Sequence, residues 1–553
     1  MSSKKSESGF LVQGSILAAA SIISRIIGLL YRIPLNNIIG AYGNDYYSCA
    51  YEIYSMMLLI SSYSLPMAVS KMVSARMAQG KKADAYRVFK GALAIAGITG
   101  TAGCIIVFFG AEFLTDTVFK TPLSFYALRV LAPTLIIVAV LGVLRGFFQG
   151  LGTMVPSAVS QIIEQIVNAI VSVGAAYVLF SYGARVMLVL DSEQHYDAAY
   201  GAAGGTLGTG AGAAFGLIFC LFVFVTYRKT FKKAIRREKR RGNAQPEQYS
   251  AIFKILIFTI VPVLLSTTLY NLVSIVDQGM FKNICVSMGY DEDQISTWWG
   301  LYSGYYKVLV NVPISIASAL ATSAVPTISA AFAKKEDEQI RHKIALSLRF
   351  VMIIAAPCAA GLMALSGPIM QFLFPGTDAL AGKLLLAGGI SIIFYSISTL
   401  SNATLQAIDR MTIPIRNAVI SLAVNVVAMV ICLLAFKMNI YAVIAGNIVF
   451  SLVMCLLNGM SVKKYSGFSP DITKTFIKPV ASAVVMGVAV YFVYKVIYRL
   501  ISINSISTII SILAGIIIYA VVILLIKGIT EPELKQFPKG TLLVRIAKKI
   551  HLL

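Results

Sequence analysis

Long apolar runs separated by short polar segments occupy almost the whole chain. Fourteen of them reach the length of about 20 residues that a helix needs to cross a bilayer. They run at about 10–35, 46–78, 87–111, 122–148, 154–181, 204–227, 252–280, 298–332, 343–366, 382–405, 412–436, 440–461, 474–497 and 503–527. The second and eighth runs are the longest and contain proline (Pro66; Pro313 and Pro326), which predicts bends there. The pattern is that of an all-α, polytopic membrane protein with 14 transmembrane helices.

The segments between runs are charged in alternation. Lys81, Lys82 and Arg87 follow the second run, a basic stretch from Arg228 to Arg241 follows the sixth, Lys334, Lys335, Arg341 and Lys343 follow the eighth, and Lys463 and Lys464 follow the twelfth. Connections after odd runs carry Glu112 and Asp116, then Asp191, Glu193 and Asp197, then Asp291 to Asp293. Positive charge collects on the cytoplasmic side, so both termini are expected in the cytoplasm. The basic segment divides the chain into an N-lobe (1–227), a cytoplasmic linker (228–251), a C-lobe (252–463) and a last pair of helices with a tail (464–553). Leu542 to Ile550 reads as a short basic amphipathic stretch lying on the inner leaflet.

The two lobes repeat one another. Tyr47-Ser48 with Tyr51-Glu52 matches Tyr302-Ser303 with Tyr306-Lys307 at an offset of 255, and Ser74-Ala75 matches Ser329-Ala330 at the same offset. Gln149 and Asn168 correspond to Gln406 and Asn425, nineteen residues apart in each pair. Two six-helix lobes in the same orientation predict pseudo-symmetry about the membrane normal, with the substrate site between them and alternating access as the working principle. Glu52 and Lys307 occupy equivalent positions. Two readings stay open for them, a pair across the cavity or two charges at headgroup level.

Polar residues inside the runs point to the candidate site. Arg25 and Arg32 lie seven residues apart on one stripe of the first helix, with Ser21 and Gly28. A mid-membrane arginine costs about 2.5–3.5 kcal/mol even on the lenient insertion scale, so two on one stripe predict a wet surface that receives an anion. For Arg32, near the helix end, an acidic partner or a headgroup contact is the equal alternative. The fifth run carries Ser157, Gln161, Glu164, Gln165 and Asn168 on one face, which either binds neighbouring helices or lines an aqueous cavity. Glu164 is expected to balance Arg25 or to titrate. Arg76 and Arg145 read as cytoplasmic anchors or as a basic mouth for anionic headgroups. Asp277, closing the seventh run, reads as a cation ligand, a partner for Arg32 or a boundary charge. Asp277 and Glu164 are the candidate ion-coupling residues.

Composition narrows the class further. Among 553 residues, 58% are hydrophobic and 13% charged, with a formal net charge of +23. Mean hydropathy is +0.80. The excess of cations is placed by topology and by attraction to anionic membrane lipids, and no nucleic-acid module is visible. The seven cysteines show no metal spacing and read as small apolar residues, while His195, His342 and His551 lie in loops or the tail. The start, with Lys4, Lys5 and Ala18 to Ala20, resembles a signal peptide, but the apolar run continues past any cleavage point. Nucleotide-binding loops, a potassium-filter sequence and room for a catalytic ectodomain are all missing from the sequence. The expectation is a secondary transporter, neither an enzyme nor an ATPase.

Three motifs carry a resemblance: Ser24-Arg25-Ile26-Ile27-Gly28 through Tyr31-Arg32-Ile33-Pro34, Arg145 through Gln149-Gly150, and Ser160-Gln161 through Glu164-Gln165. Together the chain resembles the stage V sporulation protein B and polysaccharide-export group of the multidrug/oligosaccharidyl-lipid/polysaccharide superfamily, which is related to MurJ-like lipid II flippases. The resemblance implies a monomeric flippase carrying undecaprenyl-diphosphate-linked sugars, lipid II foremost, to the outer leaflet for cell-wall or spore-cortex synthesis. It assigns diphosphate contact to Arg25, and also to Arg32 and Arg76. The family's motif in the fifth run ends in arginine where this chain has Asn168, which removes one cation. The undecaprenyl tail is expected in a groove beside the last two helices. No cofactor is expected; sodium, protons and membrane potential remain open as the driving force. A flippase for another lipid-linked polymer unit, a cation-coupled multidrug exporter and a membrane glycosyltransferase are the alternatives.

Overall fold

The computed structural model describes residues 16–17, 19–63, 65–191, 193–240, 247–534 and, in the tail, 541, 544–545 and 548. The signal-like start, the linker centre (241–246) and most of the expected amphipathic tail lie outside these residues.

Regular structure among the described residues is helical. In chain order the first ten α-helices are α1 (Ala19–Leu30), α2 (Arg32–Leu58), α3 (Leu65–Ala78), α4 (Lys82–Glu112), α5 (Phe125–Leu131), α6 (Thr134–Gly150), α7 (Val155–Leu190), α8 (Tyr196–Arg240), α9 (Tyr249–Ser287) and α10 (Glu292–Gly300). Then come α11 (Lys307–Ala333), α12 (Asp337–Ala364), α13 (Ser366–Leu373), α14 (Ala379–Gly388), α15 (Ser391–Ala407), α16 (Thr412–Leu434), α17 (Tyr441–Ser466), α18 (Lys478–Ile501), α19 (Asn504–Leu525) and α20 (Glu531–Leu534).

Among the described residues, eleven helical stretches are long and apolar enough to cross a membrane, and α14 with α15, bent by 49°, make a twelfth if counted as one span. The first and seventh predicted spans contribute the shorter apolar stretches Ala19–Leu30 and Tyr249–Phe258. The chain is a multi-pass membrane protein. Its first two spans are separated at Gly40, whose φ of 65° and ψ of −167° break α2 internally in a conformation that favours glycine. The second span has a π-helical turn, Leu59–Tyr63, just before Pro66, where the missing N–H disrupts regular pairing. In the eighth span the irregular segment is Leu301–Tyr306, while Pro313 and Pro326 sit inside the unbroken α11.

Contacts divide the chain into two compact units, Met1–Gly304 and Tyr305–Leu553. The predicted lobes follow helix count along the sequence; packing groups the seventh span and the start of the eighth with the first six. The reason is a buried polar cluster in the first unit. Lys282 Nζ on α9 donates to both carboxylate oxygens of Asp45 on α2, at 2.5 and 2.7 Å, and to the Thr121 hydroxyl. Ser296 on α10 donates to Asp45 at 2.6 Å, and Trp299 Nε1 donates to Ser48 Oγ at 3.1 Å. Lys282 and Asp45 are 1% and 0% exposed, so each charge depends on the other.

Close helix contacts complete this unit. Gly204, Gly208 and Gly212 of α8 form a stripe at four-residue spacing against α7. A Cβ at Gly204 would lie 2.5 Å from the Ala175 carbonyl oxygen, one at Gly212 would lie 2.5 Å from the Glu164 carbonyl oxygen, and one at Gly208 would overlap Ser172. Gly142, Gly146 and Gly150 of α6 form a second stripe, packed on Pro66 and Val73 of α3. Small residues at this spacing let backbones approach where lipid supplies no hydrophobic drive for association.

The second unit is joined by amides. Asn417 on α16 donates to Asn458 on α17 at 2.9 Å, and Asn458 donates to Asn402 on α15 at 2.6 Å. Buried Asn425 abuts Gly446, as buried Asn168 abuts Gly212 in the first unit. The sequence repeat thus reappears as a shared packing device in each unit.

Two outcomes follow from this packing. Asp45→Ala leaves Lys282 buried without its counter-ion and lowers stability by about 3–5 kcal/mol, and pairing it with Lys282→Met recovers much of the loss, read from unfolding in detergent. Gly208→Leu abolishes the monodisperse folded peak in fluorescence-detected size exclusion. Gly174→Leu, at a position with nothing within 4 Å, leaves that peak intact.

Candidate functional site

The stripe of the first helix lies against the polar face of the fifth span, both in the first unit. Ser21 Oγ donates to Gln161 Oε1 at 3.3 Å, a Cβ at Gly28 would sit 3.4 Å from Gln165 Oε1, and Asn168 Nδ2 donates to the Tyr31 hydroxyl at 3.3 Å. Arg25 lies on this stripe between Ser21 and Gly28, and it is exposed. The tertiary structure thus brings together the two polar faces that the sequence marks separately. The glycine stripe of α8 backs α7 from its other neighbour, so the polar face is held on a rigid helix pair.

Arg32 is half-buried and lies over tyrosine rings, 4.7 Å from the Tyr47 centroid and 5.7 Å from that of Tyr51. Such contacts stabilise a cation by about 0.5–2 kcal/mol without cancelling its charge. Among the described residues no carboxylate forms an ion pair with Arg32, so neither Asp277 nor another acid serves as the partner that the sequence left open. The sequence marks Tyr47 and Tyr51 as part of the repeat but not as neighbours of Arg32, although Tyr47, Tyr51 and Tyr54 recur at helical spacing.

Glu164 is not the counter-ion of Arg25. Its Oε2 accepts from Arg145 Nη2 at 2.7 Å, and Arg145 Nε donates to Ser160 Oγ at 2.8 Å. The two side chains are 15% and 24% exposed, a partly buried pair spanning the α6–α7 turn. Arg145 therefore brings little net charge, and a coupling ion at Glu164 would have to compete with a bonded guanidinium. Arg76 is likewise engaged: buried in α3, it donates to Glu247 at 2.5 and 3.1 Å and to the Met72 carbonyl at 3.0 Å. It acts as a clamp on the start of α9 in this structure, away from the Ser21–Asn168 face.

Asp277 is 2% exposed on α9, five residues before Lys282. Glu52, in α2, is half-buried in the first unit; Lys307, the first residue of α11, is half-buried in the second. The Asp45–Lys282–Ser296 cluster was not singled out from the sequence, because Asp45 and Lys282 are 237 residues apart and each reads as a helix-end charge.

In the second unit an apolar cavity of about 360 Å³ lies among α12, α15, α17 and the segment that follows it, lined by Leu348, Leu400, Leu456, Phe468 and Phe476. It borders the turn that begins the thirteenth span, near the region expected to receive a lipid tail.

Comparison with known proteins places this geometry in a family. A family model described as polysaccharide biosynthesis protein matches residues 11–332, and a second, MatE, matches residues 308–431. The lipid II flippase MurJ of Bacillus subtilis (strain 168) is 26% identical over 516 residues, covering 87% of this chain and 88% of that protein. Stage V sporulation protein B of the same organism is 24% identical over 545 residues, covering 97% and 99%. Among solved structures, lipid II flippase MurJ in its inward closed conformation matches with a TM-score of 0.64 at 16% identity, covering 92% of this chain and 97% of that one. An inward-facing multidrug resistance MATE family transporter of the MOP superfamily matches with a TM-score of 0.62 at 15% identity, covering 79% and 96%. With its helical fold matched by these transporters and the family model spanning residues 11–332 of 553, the chain belongs to the polysaccharide biosynthesis protein family.

Proposed function

We propose that this protein is a flippase that moves a diphosphate-linked sugar on a polyprenyl lipid from the cytoplasmic to the outer leaflet, with lipid II as the first cargo to test. One observation carries the reading. Arg25 shares the stripe of the first helix that meets α7 through Ser21 and Gly28, Arg32 follows it over the rings of Tyr47 and Tyr51, and the one carboxylate of α7, Glu164, is already bonded to Arg145. The local balance is therefore cationic, which suits a diphosphate, and arginine matches phosphate oxygens with a forked pair of donors. The amides of Gln161 and Gln165 add neutral donors and acceptors of the kind a sugar requires.

The names of the relatives support this class of cargo: two are called a lipid II flippase and a stage V sporulation protein. A third, of Haloferax volcanii, 25% identical over 238 residues, is called a probable low-salt glycan biosynthesis flippase. The multidrug-exporter reading shares the fold, but a cationic face disfavours cationic drugs. In our reading the protein acts as a monomer without enzymatic chemistry, both termini are cytoplasmic, and the apolar cavity of the second unit holds part of the lipid tail. Sodium, protons or membrane potential drive the cycle, with Asp277 and Glu164 the candidate acids, the second of which is bonded to Arg145.

Expression in a bacterium depleted of its own lipid II flippase tests the proposal. Wild type restores growth and surface-exposed lipid II, while Arg25→Ala at equal abundance loses at least tenfold of the surface signal. Failure of correctly inserted wild type would exclude lipid II as cargo. The Arg145–Glu164 pair is expected to be structural: Glu164→Gln lowers the unfolding midpoint, and the double variant Arg145→Gln/Glu164→Gln recovers both midpoint and transport. Loss of transport in a double variant of normal stability would return Glu164 to the coupling site.

A further inference from the structure

At the end of the second span opposite Asp45, the first unit has a second basic feature, separate from the candidate transport face. A cavity of about 640 Å³ lies between the α3–α4 turn and the part of α8 that runs on beyond its apolar stretch. Lys81 and Lys82 line one wall and Lys233 and Arg237 the other, with Glu238 as the one carboxylate. Lys233 and Arg237 are one helical turn apart and share a face of α8.

The walls are fixed. Gly80, at φ +76°, ends α3 in a left-handed turn, and the Lys81 amide donates to the Arg76 carbonyl at 2.9 Å. Phe231 anchors the basic stretch of α8: it is 4% exposed, with ring centroids 5.7 Å from Phe147 and 6.1 Å from Tyr86. The nearby carboxylates are all committed. Glu238 accepts from the Ala83 amide at 3.1 Å, Asp84 accepts from the Glu247 amide at 3.0 Å, and Glu247 holds Arg76. None of the four cations lining the cavity forms an ion pair among the described residues. Four cations against the single carboxylate of Glu238 leave a net positive charge around one preformed space, which an added anion relieves.

The position on α8 identifies the anion's source. Phe222 and Val225 are 70% and 60% exposed, and Tyr227 follows them, an aromatic where the apolar stretch ends. Thr230, at the near end of the cavity, is about 4–5 Å further along the helix, at headgroup depth. A ligand with its phosphate in the cavity and its chains along Phe222 and Val225 uses both surfaces. A free phosphate uses only the first, and a zwitterionic headgroup brings its own ammonium among four cations.

We propose that Lys81, Lys82, Lys233 and Arg237 form a binding site for the phosphate headgroup of an anionic glycerophospholipid, which ties this corner of the protein to the membrane surface. The site is independent of the cargo. It is tested on the full-length protein purified in neutral detergent, titrated with short-chain phosphatidylglycerol, short-chain phosphatidylcholine or inorganic phosphate, with occupancy read by native mass spectrometry and stabilisation by thermal unfolding. The exposed pair Lys233→Gln/Arg237→Gln should weaken phosphatidylglycerol binding about ten- to thirtyfold. Lys334→Gln/Lys335→Gln, an exposed pair in the second unit, should leave binding unchanged. Equal binding of phosphatidylcholine, equal losses in both double variants, or no loss in the first would overturn the site. Inorganic phosphate binding as tightly as phosphatidylglycerol would overturn the lipid assignment.

Discussion

Gly204, Gly208 and Gly212 let α8 lie backbone against backbone on α7, and the candidate transport face depends on that approach. In a bilayer, apolar side chains gain nothing by leaving lipid for one another, so close contact and hydrogen bonding must hold helices together. Ser172 uses the contact directly, donating to the Gly205 carbonyl at 2.7 Å. Because the backbone of α7 at Glu164 and Asn168 rests on Gly212, the polar face that meets Ser21, Gly28 and Tyr31 sits on a support with little freedom to shift. A polar face on a loosely packed helix would present its amides less reproducibly to a large headgroup.

Charge is distributed around this support by local compensation. Asp45 with Lys282, Arg145 with Glu164, and Arg76 with Glu247 are each buried or partly buried, and each unites segments that are separate along the chain. A charge in a low-dielectric region is tolerable only with such a partner or with water. Arg32 is stabilised differently, by the faces of Tyr47 and Tyr51. The contrast separates arginines held by carboxylates from one held by aromatic rings, a distinction that residue type alone does not make.

The two ends of the first unit serve different demands. At one end Asp45, Lys282 and Ser296 bind α2, α9 and α10 together through a fully buried cluster. At the other, the carboxylates of α4, α8 and the start of α9 are spent on backbone amides and Arg76, leaving a rim of unbalanced cations. The first arrangement is buried; the second lines an open cavity.

Hydrophobic run length determined the class of this protein, because a bilayer leaves a chain of such composition few alternatives to spanning helices. Period-seven spacing put Ser21, Arg25, Gly28 and Arg32 on one stripe, and the four- and three-residue spacing from Ser157 to Asn168 made one polar face. Both follow from helix geometry alone, and the structure sets them against each other. The four-residue spacing of the glycine stripes is also present in the sequence, but only the packing shows which helix each stripe meets. What the sequence left undecided is which charge meets which. Glu164 was expected to balance Arg25 or to titrate, and Arg76 to anchor the chain or to join a basic mouth; the sequence marked neither Arg145 nor Glu247 as the partner, and Asp45 gave no sign of Lys282. Ion pairing acts over a few ångströms between segments as many as 237 residues apart, so the partner is decided only when tertiary packing brings helices to a common depth.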